Sequence, residues 1–244
     1  MPDIVYEDNQ LLVAVKPPNL LTQGDATGDD CLLNQLKRYI KEKYAKPGDV
    51  YLGLVHRLDR PVGGLVAFAR TSKAAARLSE QLRTHAMARE YLAVVENGDA
   101  MPDSGALCDW LQKDINGGVR PVPPGTEDAR EARLQFRVLA RASGTALARI
   151  TLETGRKHQI RVQLAHAGYP IAYDMRYGRG QRGQSVALWG AVLRLTHPTL
   201  REAMTFVSFP RGTAYAPFSD ATNRFLSEAA EPSGRRRDGK EEKE

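Results

Sequence analysis

Cysteine is scarce in this sequence. Cys31 and Cys108 stand far apart, without a C-x-x-C or a nearby pair of histidines, which argues against a disulfide framework and a zinc site. Both read as buried or bystander thiols. Long apolar runs are also missing. Stretches such as Val186 to Ala191 are far too short to cross a bilayer, and the opening Met1-Pro2-Asp3-Ile4-Val5-Tyr6-Glu7 has neither the basic nor the apolar segment of a secretion signal. The expectation is a cytoplasmic protein that does not meet a membrane. No internal repeat is visible. What is present is a globular composition: 42% apolar residues over 244 positions provide core for one large domain or two small ones.

The formal charge is +6, and its placement is informative. From Glu231 to Glu244 five basic and five acidic residues cancel, so the excess lies in the body. Between Gly155 and Gly183 six basic residues (Arg156, Lys157, Arg161, Arg176, Arg179, Arg182) face Asp174 alone, a local +5. A solvated basic face is the bland explanation. Such a cluster on an otherwise balanced chain is also the footprint of a phosphate-rich partner.

The stretch Val55-His56-Arg57-Leu58-Asp59-Arg60-Pro61-Val62-Gly63-Gly64-Leu65 sets ionisable residues between two apolar runs. Tyr51 to Val55 reads as the end of a buried strand and Leu65 to Ala69 as another, with Gly63-Gly64 offering backbone that can pass close to a ligand. Extended backbone across Arg57 to Asp59 puts Arg57 and Asp59 on one face, His56 and Leu58 on the other. A guanidinium and a carboxylate then share a face beside the core, as a structural ion pair or as a site.

Elsewhere, Leu11 to Lys16 reads as a strand stopped by Pro17-Pro18, with no separate module in front of it. A loop follows to Asp30, which can cap a helix from about Cys31 to Tyr44. Thr71 or Ser72 caps a second helix to about Thr84, and Met87 to Val95 alternates as a strand buried on both faces. Ala100 to Glu131, rich in Pro, Gly and Asp, reads as surface loops and hairpins. Ala132 to Ala140 and Ala146 to Glu153 form a hairpin leading into a helix from about Lys157 to Ala167, with Ile160 and Leu164 toward the core. Arg156, Lys157, His158 and Arg161 would crowd its start, where free N–H groups favour anions and basic side chains oppose the dipole. Strands at Val186 to Leu195 and Glu202 to Phe209 and a helix at Pro217 to Ala229 complete the pattern. The expected fold is α+β, a largely antiparallel sheet with flanking helices, in one domain over 1–230. The charged tail 231–244 is expected to be disordered.

Several of these segments, in order, resemble the RluA-type pseudouridine synthases. Val55 to Leu65 is similar to their H-R-L-D signature and its Gly-containing turn, Arg89-Glu90-Tyr91-Leu92-Ala93-Val94-Val95 to their tyrosine strand, and Thr154-Gly155-Arg156-Lys157-His158-Gln159-Ile160-Arg161 to their T-G-R-x-H-Q-I-R segment. Gly168-Tyr169-Pro170-Ile171, Tyr173-Asp174 with Tyr177-Gly178, and Leu188 with His197-Pro198 continue the likeness, which runs from about Ile4 to Phe209. The sequence departs from the pattern at Arg60 to Gly64, where relatives often have Thr-Ser-Gly, and at Lys157, Gln163 and Tyr173.

The resemblance implies a pseudouridine synthase-like fold and an isomerase that detaches uracil from ribose in RNA, turns it and rejoins it through carbon. Asp59 would act on the ribose, by covalent attack or by removing a proton. Either role needs an ionised carboxylate in a drying pocket, which a guanidinium favours, and Arg161 would be that partner. Tyr91 would lie against the uracil. Arg57, with His56 and Ile160, would bind the substrate nucleotide, Arg57 filling the space it leaves on flipping. Arg156, Lys157 and His158 would bind RNA, the first two holding phosphates. No cofactor or metal is implied, since the reaction has no net redox or phosphoryl step. The implied partner is a structured rRNA or tRNA stem-loop, bound by a monomer without an obligatory protein partner. The small RNA-binding domain that many relatives carry in front is absent from this sequence, so the catalytic domain would do its own recognition. Taken alone, Tyr91 reads as a core tyrosine and His56, His158 and His166 as hydrogen-bonded structural residues. Two rival readings are a non-catalytic RNA-binding protein that retains the fold, which intact Asp59, Tyr91 and Arg161 oppose, and a glycosidase, which lacks a second acid beside Asp59.

Overall fold

A computed structural model describes residues 1–115, 117–181 and 183–231 of the chain. The expectation of a disordered tail falls mostly on residues 232–244, which lie outside the described residues, as does Arg182 of the basic segment. In chain order the strands are β1 Asp3–Glu7, β2 Leu11–Lys16, β3 Gly53–Leu54, β4 Gly63–Ala69, β5 Ala88–Val95, β6 Ser104–Lys113, β7 Val119–Val122, β8 Arg130–Ala142, β9 Thr145–Leu152, β10 Leu188–Thr196 and β11 Ala203–Val207. The helices are α1 Leu32–Lys43, α2 Ser72–Arg83, α3 Gln159–His166 and α4 Ser219–Ala230.

Among the described residues the strands form one sheet in the order β1-β2-β4-β10-β5-β9-β8-β6-β7, with β3 on β4 and β11 on β10. All pairings are antiparallel except β4 with β10. The α+β expectation holds. β4 and β5, apolar on both faces, occupy the middle of the sheet as continuous hydrophobic runs must.

The parallel junction explains Gly63-Gly64. Gly63 lies opposite Trp189 and Gly64 opposite Gly190. A Cβ on Gly63 would fall on the Trp189 ring, and one on Gly64, whose φ is +124°, would fall on the Gly190 backbone. The close approach is therefore to a neighbouring strand, where the sequence suggested a ligand.

Other differences have local causes. Tyr51 is 51% exposed and only Gly53–Leu54 pairs with β4, so the segment before the central motif is mostly irregular. Thr71 caps α2 by accepting from the Ala74 N–H. Asp30 sits one residue ahead of the α1 N-cap, accepting from Cys31 N–H and pairing with Arg38. Ala100 to Glu131 contains β6 and β7, where the composition suggested loops. These strands lie at one end of the sheet and are largely exposed, so their polar alternation is that of strands with one wet face. They pack on α3 through Leu111, Val119, Ala132 and Val162, a small apolar cluster separate from the main core.

Candidate active site

The central motif forms an extended segment and turn before β4, held from beneath. Thr22 Oγ1 donates to the Leu58 carbonyl at 2.8 Å and accepts from its N–H. Lys16, fully buried at the end of β2, donates to the carbonyls of Pro17, Leu20 and Arg60 at 2.9, 2.6 and 3.0 Å. Burial lowers the Lys16 pKa to about 7, against the pull of Asp59. The expected alternation is present: His56 and Leu58 are buried, Arg57 is exposed, and Asp59 lies between.

His56 faces away from the cleft. Its Nε2 accepts from the Ala67 N–H of β4 at 3.1 Å, and burial lowers its pKa to about 3, so the ring is neutral. It braces the strand and is not among the residues that line the cleft. Its place follows from the same alternation that turns Asp59 outward.

The cleft, about 70 Å³, is lined by Arg57, Asp59, Arg89, Tyr91, Arg156 and Arg161, with Val62, Leu152, Ile160 and Leu188 as apolar wall. Tyr91 comes from β5, where it pairs with Gly190 of β10 and Ile150 of β9. Its side chain is nearly buried, and burial raises the phenol pKa, keeping it protonated. Ile160 and Arg161 come from the first turn of α3.

The helix starts at Gln159, where the sequence suggested Lys157, because His158 adopts a left-handed φ of 53°. Gln159 ties the preceding loop to the helix: its Oε1 accepts from Thr154 Oγ1 and Arg156 N–H, and its Nε2 donates to the Arg133 carbonyl. Arg156 and Lys157 thus stand ahead of α3, donating to the carbonyls of Glu131 and Gly117. Both also line a larger cavity of about 430 Å³ beside the cleft, with Lys113 and Arg130. Its cationic lining suits a phosphate chain, whereas the ionisable and aromatic groups needed for bond chemistry converge on the smaller cleft.

One guanidinium joins the site. Arg161 Nη1 lies 3.3 Å from Asp59 Oδ2, while Nε and Nη2 donate to Asp174 at 2.7 and 2.8 Å. Asp174 is fully buried and also accepts from the N–H groups of Arg176 and Tyr177. Burial raises the Asp174 pKa, but the Arg161 guanidinium and these N–H donors more than offset it and leave the value below the ordinary carboxylate range. The Tyr177 ring lies 5.1 Å from the same guanidinium. The contacts of the Asp59 carboxylate with Arg161 and His158 fall on Oδ2, and the quarter-exposed side chain lines the cleft.

The sequence reading missed Asp174, Tyr177 and Arg89 as site residues. Asp174 did carry a signal, as the lone acid within a strongly basic stretch. Such a residue is a natural counter-ion for a buried arginine.

Residues 10–166 match the family described as RNA pseudouridylate synthase. The chain is 32% identical over 209 residues to ribosomal large subunit pseudouridine synthase C of Yersinia pestis, covering 82% of this chain and 63% of that protein. With the protein of the same name from Salmonella typhimurium it shares 32% identity over 233 residues, covering 91% and 68%. The chain therefore spans roughly two thirds of the length of these curated relatives. A solved structure, human RNA pseudouridylate synthase domain containing 4, has the same fold, with a TM-score of 0.71 at 24% identity over 92% of this chain and 93% of that one.

Proposed function

The chain belongs to the RNA pseudouridylate synthase family, and on that basis we propose that residues 1–230 act as one catalytic unit converting uridine to pseudouridine in RNA. The observation that carries the proposal is the convergence of Asp59, Tyr91 and Arg161, from three separate elements, on one cleft. The overall change breaks the N1–C1′ bond and makes a C5–C1′ bond; N1 gains a proton and C5 loses one, so nothing is consumed. Asp59 acts on the ribose through Oδ1, by attack or by proton removal, and Arg161 bears on the other oxygen. Tyr91 lies against the uracil face. Arg57, exposed at the rim, occupies the stack from which the base has flipped, since such chemistry requires an extruded nucleotide. Arg156 and Lys157 hold phosphates.

The substrate we propose is a stem-loop of large-subunit ribosomal RNA, because the relatives above are named for that substrate and because loops give up a base at least cost. The protein acts in the cytoplasm as a monomer; among the described residues no helix is long and apolar enough to cross a membrane. The test is Asp59→Ala. It should abolish conversion, read by carbodiimide-stop sequencing of total RNA, while RNA affinity stays within about threefold, because phosphate contacts carry most of the binding. Wild-type conversion by the variant would dismiss Asp59. Tight binding without conversion by the wild-type protein would make it a non-catalytic RNA binder.

A further inference from the structure

The Tyr177 hydroxyl stands between two polar groups. The backbone N–H of Val119, on β7, lies 2.9 Å away, and Nδ1 of His158 lies 2.7 Å away. A backbone N–H only donates, so the Tyr177 oxygen accepts there. Its single proton remains available to His158; when Nδ1 accepts it, the neutral imidazole carries its own proton on Nε2. Nε2 faces Asp59 Oδ2 at 3.9 Å, beyond hydrogen-bond length but within electrostatic reach.

The arrangement is firmly built. The Tyr177 ring is fixed by the Arg161 guanidinium and by the small apolar cluster under the β6–β7 hairpin. His158 holds its left-handed φ just before α3, a conformation that costs energy in a side-chain-bearing residue and tends to gather at functional sites. Burial lowers the His158 pKa; Asp59 opposes this, and Arg161, Lys157 and Arg176 reinforce it. The ring is therefore neutral near pH 7.

We propose that His158 and Tyr177 form a positioning pair for Asp59. The Tyr177 hydroxyl holds the imidazole in its Nε2–H form, and that N–H acts on Oδ2 electrostatically across 3.9 Å, beside Arg161, so that Oδ1 is the oxygen presented to the ribose. The role rests on the isomerase reading above. A neutral donor suits it, because it orients the carboxylate without adding a second full positive charge that would blunt it as nucleophile or base.

The experiment uses the full chain. Nitrogen-15 spectra of its labelled imidazoles, with His158 assigned by its loss in His158→Gln, should show the Nε2–H form at pH 7, shifting toward Nδ1–H in Tyr177→Phe. A wild-type His158 in the Nδ1–H or imidazolium form overturns the proposal. In single-turnover assays Tyr177→Phe should slow conversion about tenfold, the worth of one hydrogen bond, with RNA affinity unchanged. In the His158→Gln background, where the side-chain amide retains a donor, the same change should cost little. An equal cost in both backgrounds refutes the coupling. A wild-type protein inert toward RNA removes the isomerase reading and the role of Oδ1 with it, whereas a failed tautomer assignment with active enzyme removes the positioning pair alone.

Discussion

Asp174→Ala should unfold the site from beneath. In the folded protein the Arg161 side chain is almost wholly buried and, among the described residues, takes two of its three side-chain hydrogen bonds from Asp174, at 2.7 and 2.8 Å, against one at 3.3 Å from Asp59. Removing Asp174 leaves the Arg161 guanidinium with a single long hydrogen bond, beside the Tyr177 ring, and takes away the acceptor of the Arg176 and Tyr177 backbone N–H groups. Breaking a buried pair from one side costs about 3–5 kcal/mol. For a chain of this size each kcal/mol lowers the melting temperature by about 2–4 °C, so a loss on the order of 10 °C is expected. Asp174→Asn, which keeps the volume and one acceptor, should cost less, about 1.5–3 kcal/mol. The folded pKa of Asp174 lies below its unfolded value, so the stability it contributes is present above the ordinary carboxylate range, about pH 4, and is lost as pH falls through the folded value. The gap between wild type and Asp174→Asn should therefore narrow on acidification below about pH 4. Urea titrations across pH, read by tryptophan fluorescence and checked for a constant m-value, measure both costs and their pH dependence, and thermal melts read the loss in melting temperature. A cost below about 1 kcal/mol for Asp174→Ala at pH 7 would refute the view that this pair anchors Arg161.

Two further outcomes follow from the geometry. Replacing Arg156 and Lys157 together by alanine should flatten the dependence of log RNA affinity on log salt by about one to two units, as phosphate contacts are lost; an unchanged slope in filter binding would place both side chains outside the RNA path. Gly64→Ala should destabilise by about 3 kcal/mol or prevent folding, because its Cβ would meet the Gly190 backbone and its φ is positive; a soluble variant melting within about 2 °C of wild type would contradict the strand contact.

What could be read in the sequence was what rests on local periodicity. Strand β5 stands out because Tyr91 to Val95 are apolar on both faces, as only an interior strand is, and α2 because Thr71 announces its cap. The outward turn of Asp59 and the inward turn of His56 follow from alternation alone. Less legible were β6 and β7, whose polar exposed faces look like loop, and the true start of α3, set by a left-handed residue with no glycine to mark it. The Arg161–Asp174 pair lies one step further from view. It is a contact between a helix and the loop that follows, and only the charge contrast of Asp174 with its neighbours hints at it.

The position of β10 also bears on how the molecule comes to be folded. The motif carrying Asp59 leads into β4 and Tyr91 lies on β5, yet these strands are not neighbours; β10, which begins at Leu188, is inserted between them. During synthesis the two halves of the cleft are therefore made early and stay unjoined until a strand roughly a hundred residues later has left the ribosome. Closing so long a loop is entropically slow, and the emerging strands keep exposed edges in the meantime. The cleft is thus expected to be among the last features to assemble, and a chain interrupted before Leu188 holds Asp59 and Tyr91 but lacks the strand that lies between their elements in the sheet.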